Sequence, residues 1–273
     1  MKKRIGFIAM SGIRAQNQDL LKLGLTLPGF VERSKVIASL PSLSLLTLAG
    51  MTPPQFDVEY MEVADLKSAP ELPERFDLVA ITSLSAQIYE AYQIADFYRE
   101  HGVPVVMGGL HVSSLPEEAG RHCTSVAVGE GEALWPGILA DFEAGQLKAR
   151  YEQSPRATFD LRLAPMPRFD LLDPEKYNRI TVQTARGCPH RCEFCASSIL
   201  LTPKYKIKPV EKIIAEIRAI KSIWHGPSSS LRTTTALLTR RTRRTCCAHS
   251  RGKAFGGSPK PISMSRVTTR CLR

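Results

Sequence analysis

The sequence predicts an α/β protein. A doubly wound, Rossmann- or flavodoxin-like parallel sheet occupies residues 1–147, and the first strand–loop–helix unit of a partial (β/α) barrel and an irregular tail follow it. Three observations carry this. Short apolar runs alternate with helical patterns through the first half, which implies parallel strands covered on both faces. Glycine turns close several of those runs, at the strand ends where such sheets take ligands. A β-branched strand then delivers a cysteine-rich loop into an amphipathic helix, the opening arrangement of a barrel whose ligands sit at the strand's C-terminal end.

Lys3–Met10 is a short apolar strand. Ser42–Ala49 reads as a buried helix ending at Gly50, with Pro53 and Pro54 beyond it. Asp57–Met61 and Asp77–Thr82 are strands, and Gln87–His101 is an amphipathic helix stopped by Gly102. Val103–Met107 is a strand closed by Gly108 and Gly109, a short helix begins near Pro116, Ser125–Val128 is a strand, and Glu132–Ala144 is a helix. Residues 148–178 carry Pro155, Pro165, Pro167 and Pro174 among charges, the composition of an extended linker. The next unit spans 179–227: strand Ile180–Thr184, the cysteine loop, and helix Lys208–Ile223 with Pro209 in its first turn. Residues 228–273 show neither helical nor strand periodicity and read as an aberrant basic tail.

The net charge of +11 suggests nucleic acid until it is located. Residues 228–273 hold eleven of the 37 Lys and Arg and no Asp or Glu, which leaves residues 1–227 with 26 of each sign. The body is neutral, so no specific nucleic-acid partner is expected. No apolar stretch is long enough for a membrane helix, and the run Ile5–Met10 is short for a signal peptide. Clustered cysteines fit a metal site in a reducing cytosol better than a disulfide framework, so a cytoplasmic location is expected.

Cys188, Cys192 and Cys195 lie in Arg186-Gly-Cys-Pro-His-Arg-Cys-Glu-Phe-Cys195. A cubane iron–sulfur cluster normally takes four thiolates. A C-x3-C-x2-C group supplies three, leaving one iron open to a ligand with an amine and a carboxylate. Zinc sites use other spacings. The plain alternative is a run of buried or redox-active thiols. Cys123, before a strand of the α/β domain, reads as a packed thiol.

With this loop, residues 1–227 resemble the radical S-adenosylmethionine (SAM) proteins that carry an N-terminal cobalamin (B12)-binding domain. The matching pieces are the cysteine loop with Phe194 at its aromatic position, Met107-Gly-Gly-Leu-His111 followed by Pro116-Glu-Glu118, and Gly129-Glu-Gly-Glu132. The resemblance implies a [4Fe–4S] cluster on Cys188, Cys192 and Cys195, with SAM chelating the fourth iron and Phe194 near its adenine. Arg186 and Gly187 would shape the start of that loop, and His190 is not counted as a ligand. In the intact family the reduced cluster cleaves SAM to methionine and a 5′-deoxyadenosyl radical, and cobalamin, where used, relays a methyl group. An electron donor such as flavodoxin or ferredoxin and a small-molecule substrate are implied with it. Cobalamin would sit against Ser83, Ser85, Gly108, Gly109, His111, Gly129, Glu130 and Gly131, after strands where glycines let backbone approach a flat ligand. The Asp-x-His-x-x-Gly signature that supplies histidine to cobalt in many B12 domains is absent after the first strand. A reading from another class, a non-catalytic corrinoid- or ligand-binding module, fits the same turns.

The family continues with a strand resembling Phe-Ile-Phe-Ala-Asp-Asp-Asn and later Arg-Trp-Phe-Thr-Glu-Thr-Asp, and neither is present. Both become possible one nucleotide out of phase. Thr233-Thr-Thr235 then permits Asp-Asp-Asn, and Phe255–Ile262 permits Arg-Trp-Phe-Thr-Glu-Thr-Asp. Residues 228–273 therefore read as a frameshift product, disordered and truncating the barrel, which makes this chain an expected inactive member.

Overall fold

The computed structural model describes residues 2–10, 40–63, 66, 72–154, 157–173, 177, 180–187, 204–223 and 232–233. Cys188, Cys192, Phe194 and Cys195 lie outside the described residues, as does most of the tail.

Six parallel strands form the main sheet: β1 (Arg4–Met10), β2 (Asp57–Val63), β3 (Leu78–Thr82), β4 (Val105–Gly108), β5 (Ser125–Val128) and β6 (Arg150–Glu152). Their spatial order is β2-β1-β3-β4-β5-β6. Period two is visible on both faces of β1, since Ile5, Phe7 and Ala9 enter one core and Ile8 and Met10 the other. Helix α1 (Leu43–Met51) and helix α5 (Gly131–Glu143) cover the first face, where Phe7 packs on Trp135 with ring centroids 5.5 Å apart. Helix α2 (Ile88–Glu100), with the short helices α3 (Leu110–Ser114) and α4 (Pro116–Ala119), covers the second. The doubly wound class is as the sequence predicts. The order reverses between β1 and β3, the switch point at which flavodoxin-like sheets open a ligand crevice.

The chain from 150 to 173 is not a bare spacer. Arg150–Glu152 is the sheet's sixth strand, paired in register with Val126–Val128. Beyond it, the Arg168 amide donates to the Leu46 carbonyl at 3.0 Å, and Phe169 and Leu172 are buried.

The second unit comprises β7 (Thr181–Val182), an antiparallel pair of β8 (Ala185–Arg186) and β9 (Lys206–Ile207), and helix α6 (Val210–Ile223). A third core joins it to the sheet domain: Leu46 of α1 meets Phe169, Leu172, Tyr177, Ile180, Val182, Ile213, Ile217 and Ile220. Two residues of the expected irregular tail are ordered as β10 (Arg232–Thr233), parallel to β7, so β7–α6–β10 forms one βαβ unit.

Candidate functional site at the carboxyl ends of the sheet

The turns after β3, β4 and β5 share one edge of the sheet. Ser83 follows β3, and Ser85 opens a single 3-10 turn leading into α2. Exposed apolar side chains stand on this edge, Leu84 and Tyr89 beside the first turn and Leu115 beyond the second.

After β4 the backbone folds sharply at Gly109, with φ +105° and ψ −174°. A Cβ there would lie 2.8 Å from Thr82 Oγ1. Thr82 Oγ1 itself donates to the Gly108 carbonyl at 3.3 Å, tying the ends of β3 and β4 together. His111, in α3, turns Nε2 to within 3.5 Å of Glu118 Oε1, and the Tyr92 hydroxyl donates to the same oxygen at 3.0 Å. Burial and then this contact with Glu118 push the Tyr92 phenol well above its ordinary range. The spacing between His111 and Glu118 thus serves an internal brace. Tyr92 also stacks on His122 (centroids 4.2 Å apart), whose Nδ1 lies 2.7 Å from Asp96.

After β5, Gly129 has φ +115°, and a Cβ there would come within 2.8 Å of Gln153 Cβ. The Gly129 amide donates to Ser113 Oγ at 3.1 Å and the Glu130 amide to Gln153 Oε1 at 2.9 Å. Ser113 and Gln153 are members of the site that sequence reasoning missed.

Glu130 and Glu132 are both buried, and both carboxylates point at the second unit. Arg186 Nη1 donates to Glu130 Oε1 at 2.8 Å and to Glu132 Oε2 at 2.9 Å, while its Nη2 pairs with Glu132 Oε1 and reaches Gln183 Oε1 at 3.0 Å. Lys206 Nζ lies 2.5 Å from Glu130 Oε1 and donates to the Phe159 carbonyl at 2.8 Å, and the Phe159 amide donates to Glu130 Oε2 at 2.8 Å. Burial alone would raise the Glu130 carboxyl, yet Lys206, the Phe159 amide and Arg186 hold it below the usual carboxylate range. Sequence reasoning placed Glu130 against a cofactor; its carboxylate is occupied by these protein partners. Arg186 and Gly187 do stand at the start of the cysteine loop, Gly187 with φ +82°.

The edge therefore gathers Ser83, Ser85, Gly108, Gly109, His111, Gly129, Glu130 and Gly131 at successive strand ends, with Arg186 and Gly187 docked beside the last turn. Cys123 is apart from it, buried with its thiol on the Ala119 carbonyl at 3.2 Å and pushed up to about 11 by burial. Among the described residues no helix is long and apolar enough to cross a membrane.

Two solved structures align over most of the chain. One is the radical S-adenosylmethionine methyltransferase TsrM from Kitasatospora setae, with tryptophan substrate and a SAM analogue bound (TM-score 0.61, 16% identity, 92% of this chain and 52% of that one). The other is the cobalamin-dependent S-adenosylmethionine radical enzyme OxsB, with aqua-cobalamin and S-adenosylmethionine bound (TM-score 0.62, 17% identity, 92% of this chain and 37% of that one). The chain shares their fold. By sequence it is similar to two Chlorobaculum tepidum enzymes. It is 31% identical over 180 residues to bacteriochlorophyllide d C-12(1)-methyltransferase (65% of this chain, 40% of the relative) and 32% identical over 186 residues to the C-8(2)-methyltransferase (66% and 41%). It also resembles the hopanoid C-2 methylase of Rhodopseudomonas palustris at 24% identity over 184 residues. The chain spans about two fifths of the length of the two methyltransferases. No protein-family model matches it.

Proposed function

We propose that this chain is the cofactor-binding part of a cobalamin-dependent radical SAM methyltransferase acting on a small molecule. The observation that carries the reading is the seating of Arg186, two residues before Cys188, on the turn after β5. The thiolate loop thereby starts at the carboxyl edge of the sheet, the side on which parallel sheets take their ligands.

Both cofactors fit the residues present. Three thiolates at Cys188, Cys192 and Cys195 suit a [4Fe–4S] cluster with one open iron, where SAM would chelate with Phe194 near its adenine. A corrinoid would lie on the glycine turns at 108–109 and 129–131 and on Ser83 and Ser85, with Leu84 and Leu115 along its apolar edge. His111 turns Nε2 to Glu118, which favours a corrinoid held without a histidine on cobalt. When bound, the cluster and corrinoid would supply electron delivery to SAM and methyl relay, and the chain's own residues would hold the two groups at the carboxyl edge of the sheet. An electron donor such as flavodoxin or ferredoxin would serve the cluster, and a cytoplasmic location suits it. The tail from 228 is read as a frameshift product, which resequencing of the codons for residues 226–231 would test.

Anaerobic reconstitution with iron and sulfide, followed by gel filtration with hydroxocobalamin, tests the reading. A brown cluster chromophore lost in each of Cys188→Ala, Cys192→Ala and Cys195→Ala, together with a co-eluting corrinoid, is expected. A folded chain that retains neither overturns it. Release of 5′-deoxyadenosine from SAM by this chain would assign it catalysis as well as binding.

A further inference from the structure

We infer that Glu130 and Glu132 are positioning residues that form a two-point seat for the cysteine loop, fixing where its metal ligands stand relative to the crevice. The inference rests on the reading that Cys188, Cys192 and Cys195 hold a cluster, and concerns how this chain places it. Arg186 and Lys206 are direct partners in the antiparallel pair of β8 and β9, so the loop of residues 187–205 leaves and returns at one point. Both side chains at that point reach the same turn. Lys206 and Arg186 share Glu130 Oε1, and Arg186 forks onto Glu132. Glu130 Oε2 takes the Phe159 amide, and the Lys208 amide donates to the Thr184 carbonyl at 2.9 Å, extending the pairing one step further from the loop.

Two carboxylates meet two cations, with side chains between 4% and 18% exposed, so the charges balance where water is largely excluded. A buried arrangement of this kind contributes little net stability over an apolar contact, but it penalises every misdocked register, because displacement leaves a charge unpaired. Arg186 supplies a planar fork that fits carboxylates bidentately. The seat is the turn after β5, at the carboxyl edge of the sheet. The distance from loop root to crevice is thus set by these side chains within the chain itself.

The test uses the full chain, reconstituted anaerobically with ferrous iron and sulfide, as wild type, Glu130→Gln, Glu132→Gln and two controls. Glu117→Gln removes an exposed pair with Arg150, and Ile138→Val loosens the sheet core away from the seat. Iron content, the rate of iron release to a ferrous chelator, and hydrogen exchange of segments 181–187 and 204–209 in the iron-free chain are measured. The seat variants should fill with iron to the wild-type level and release it roughly tenfold faster, the ratio that about 1.4 kcal/mol of lost anchoring corresponds to. Both segments should exchange faster in those variants, and the controls should behave as wild type. Should Glu132→Gln fail to fold, Lys206→Gln, which keeps the Arg186–Glu132 fork, gives the same readouts. Unchanged release and exchange in the seat variants overturn the inference. Wild type that takes up no iron overturns the cluster reading alone, and hydrogen exchange then decides the seat.

Discussion

Gly109 and Gly129 hold backbone angles open to glycine alone, and in each case a side-chain carbon would strike a neighbour within 2.8 Å. Gly129→Ala should therefore destabilise the chain by roughly 1–3 kcal/mol, the usual cost of a strained backbone site, and reduce corrinoid retention. A urea midpoint equal to wild type would contradict this. Cys123 is the opposite kind of residue. Its thiol is buried and pushed up to about 11, so almost none is thiolate at neutral pH, and the thiolate is the reactive form. A maleimide should leave it unlabelled in the native chain, and Cys123→Ala should bind as much iron as wild type. The glycine turns were legible because they follow apolar runs directly. The roles of Glu130 and Glu132 were not, because their partner Arg186 lies 54 to 56 positions downstream and local sequence carries no trace of a distant ion pair.

At the level of elements, strands β1, β3, β4 and β5 follow from apolar runs buried on both faces and edge strand β2 from its alternation, so the fold class was readable from the chain. Strand β6 was not. It is three residues long with Tyr151 alone buried between charged Arg150 and Glu152, a pattern shared with surface loops. Helix α6 carries a second feature that periodicity conceals. Glu216 faces inward, paired with Lys208 at 2.5 Å, with Oε2 lacking a hydrogen-bond partner among the described residues. Lys208→Met should cost about 3–5 kcal/mol, because it strands a buried carboxylate. Lys208→Met with Glu216→Leu should recover most of that loss in a urea titration; a double variant no better than the single would refute the pairing argument. Acid should act on the two carboxylates in opposite directions. Glu130 titrates below its unfolded value of about 4.3, so its contribution is complete above that value and is lost as pH falls through the folded pKa. Burial raises Glu216, so its penalty is present at neutral pH and disappears on acidification through its folded pKa. Glu130→Gln should flatten the acid limb of the stability curve below the unfolded carboxyl value of about 4.3, and Glu216→Gln should steepen the part of the curve just above that value.

Across the whole molecule, the sheet domain and the second unit meet through the third core and the Glu130–Arg186 cluster, both built from residues before 224. Removing residues 234–273 should therefore leave the thermal midpoint of the sheet domain within a few degrees of wild type, the shift expected of about 1 kcal/mol or less in a chain of this size. A larger fall would show that the tail is part of the fold. Every residue of the seat, Glu130 and Glu132 with the Phe159 amide on Glu130, precedes the loop it receives. During synthesis at about 5–20 residues per second, some seconds separate the emergence of β6 from that of Lys206. The sheet has that interval to fold, so Arg186 and Lys206 emerge to meet carboxylates that are already in place, and the docking of the second unit follows the order of translation.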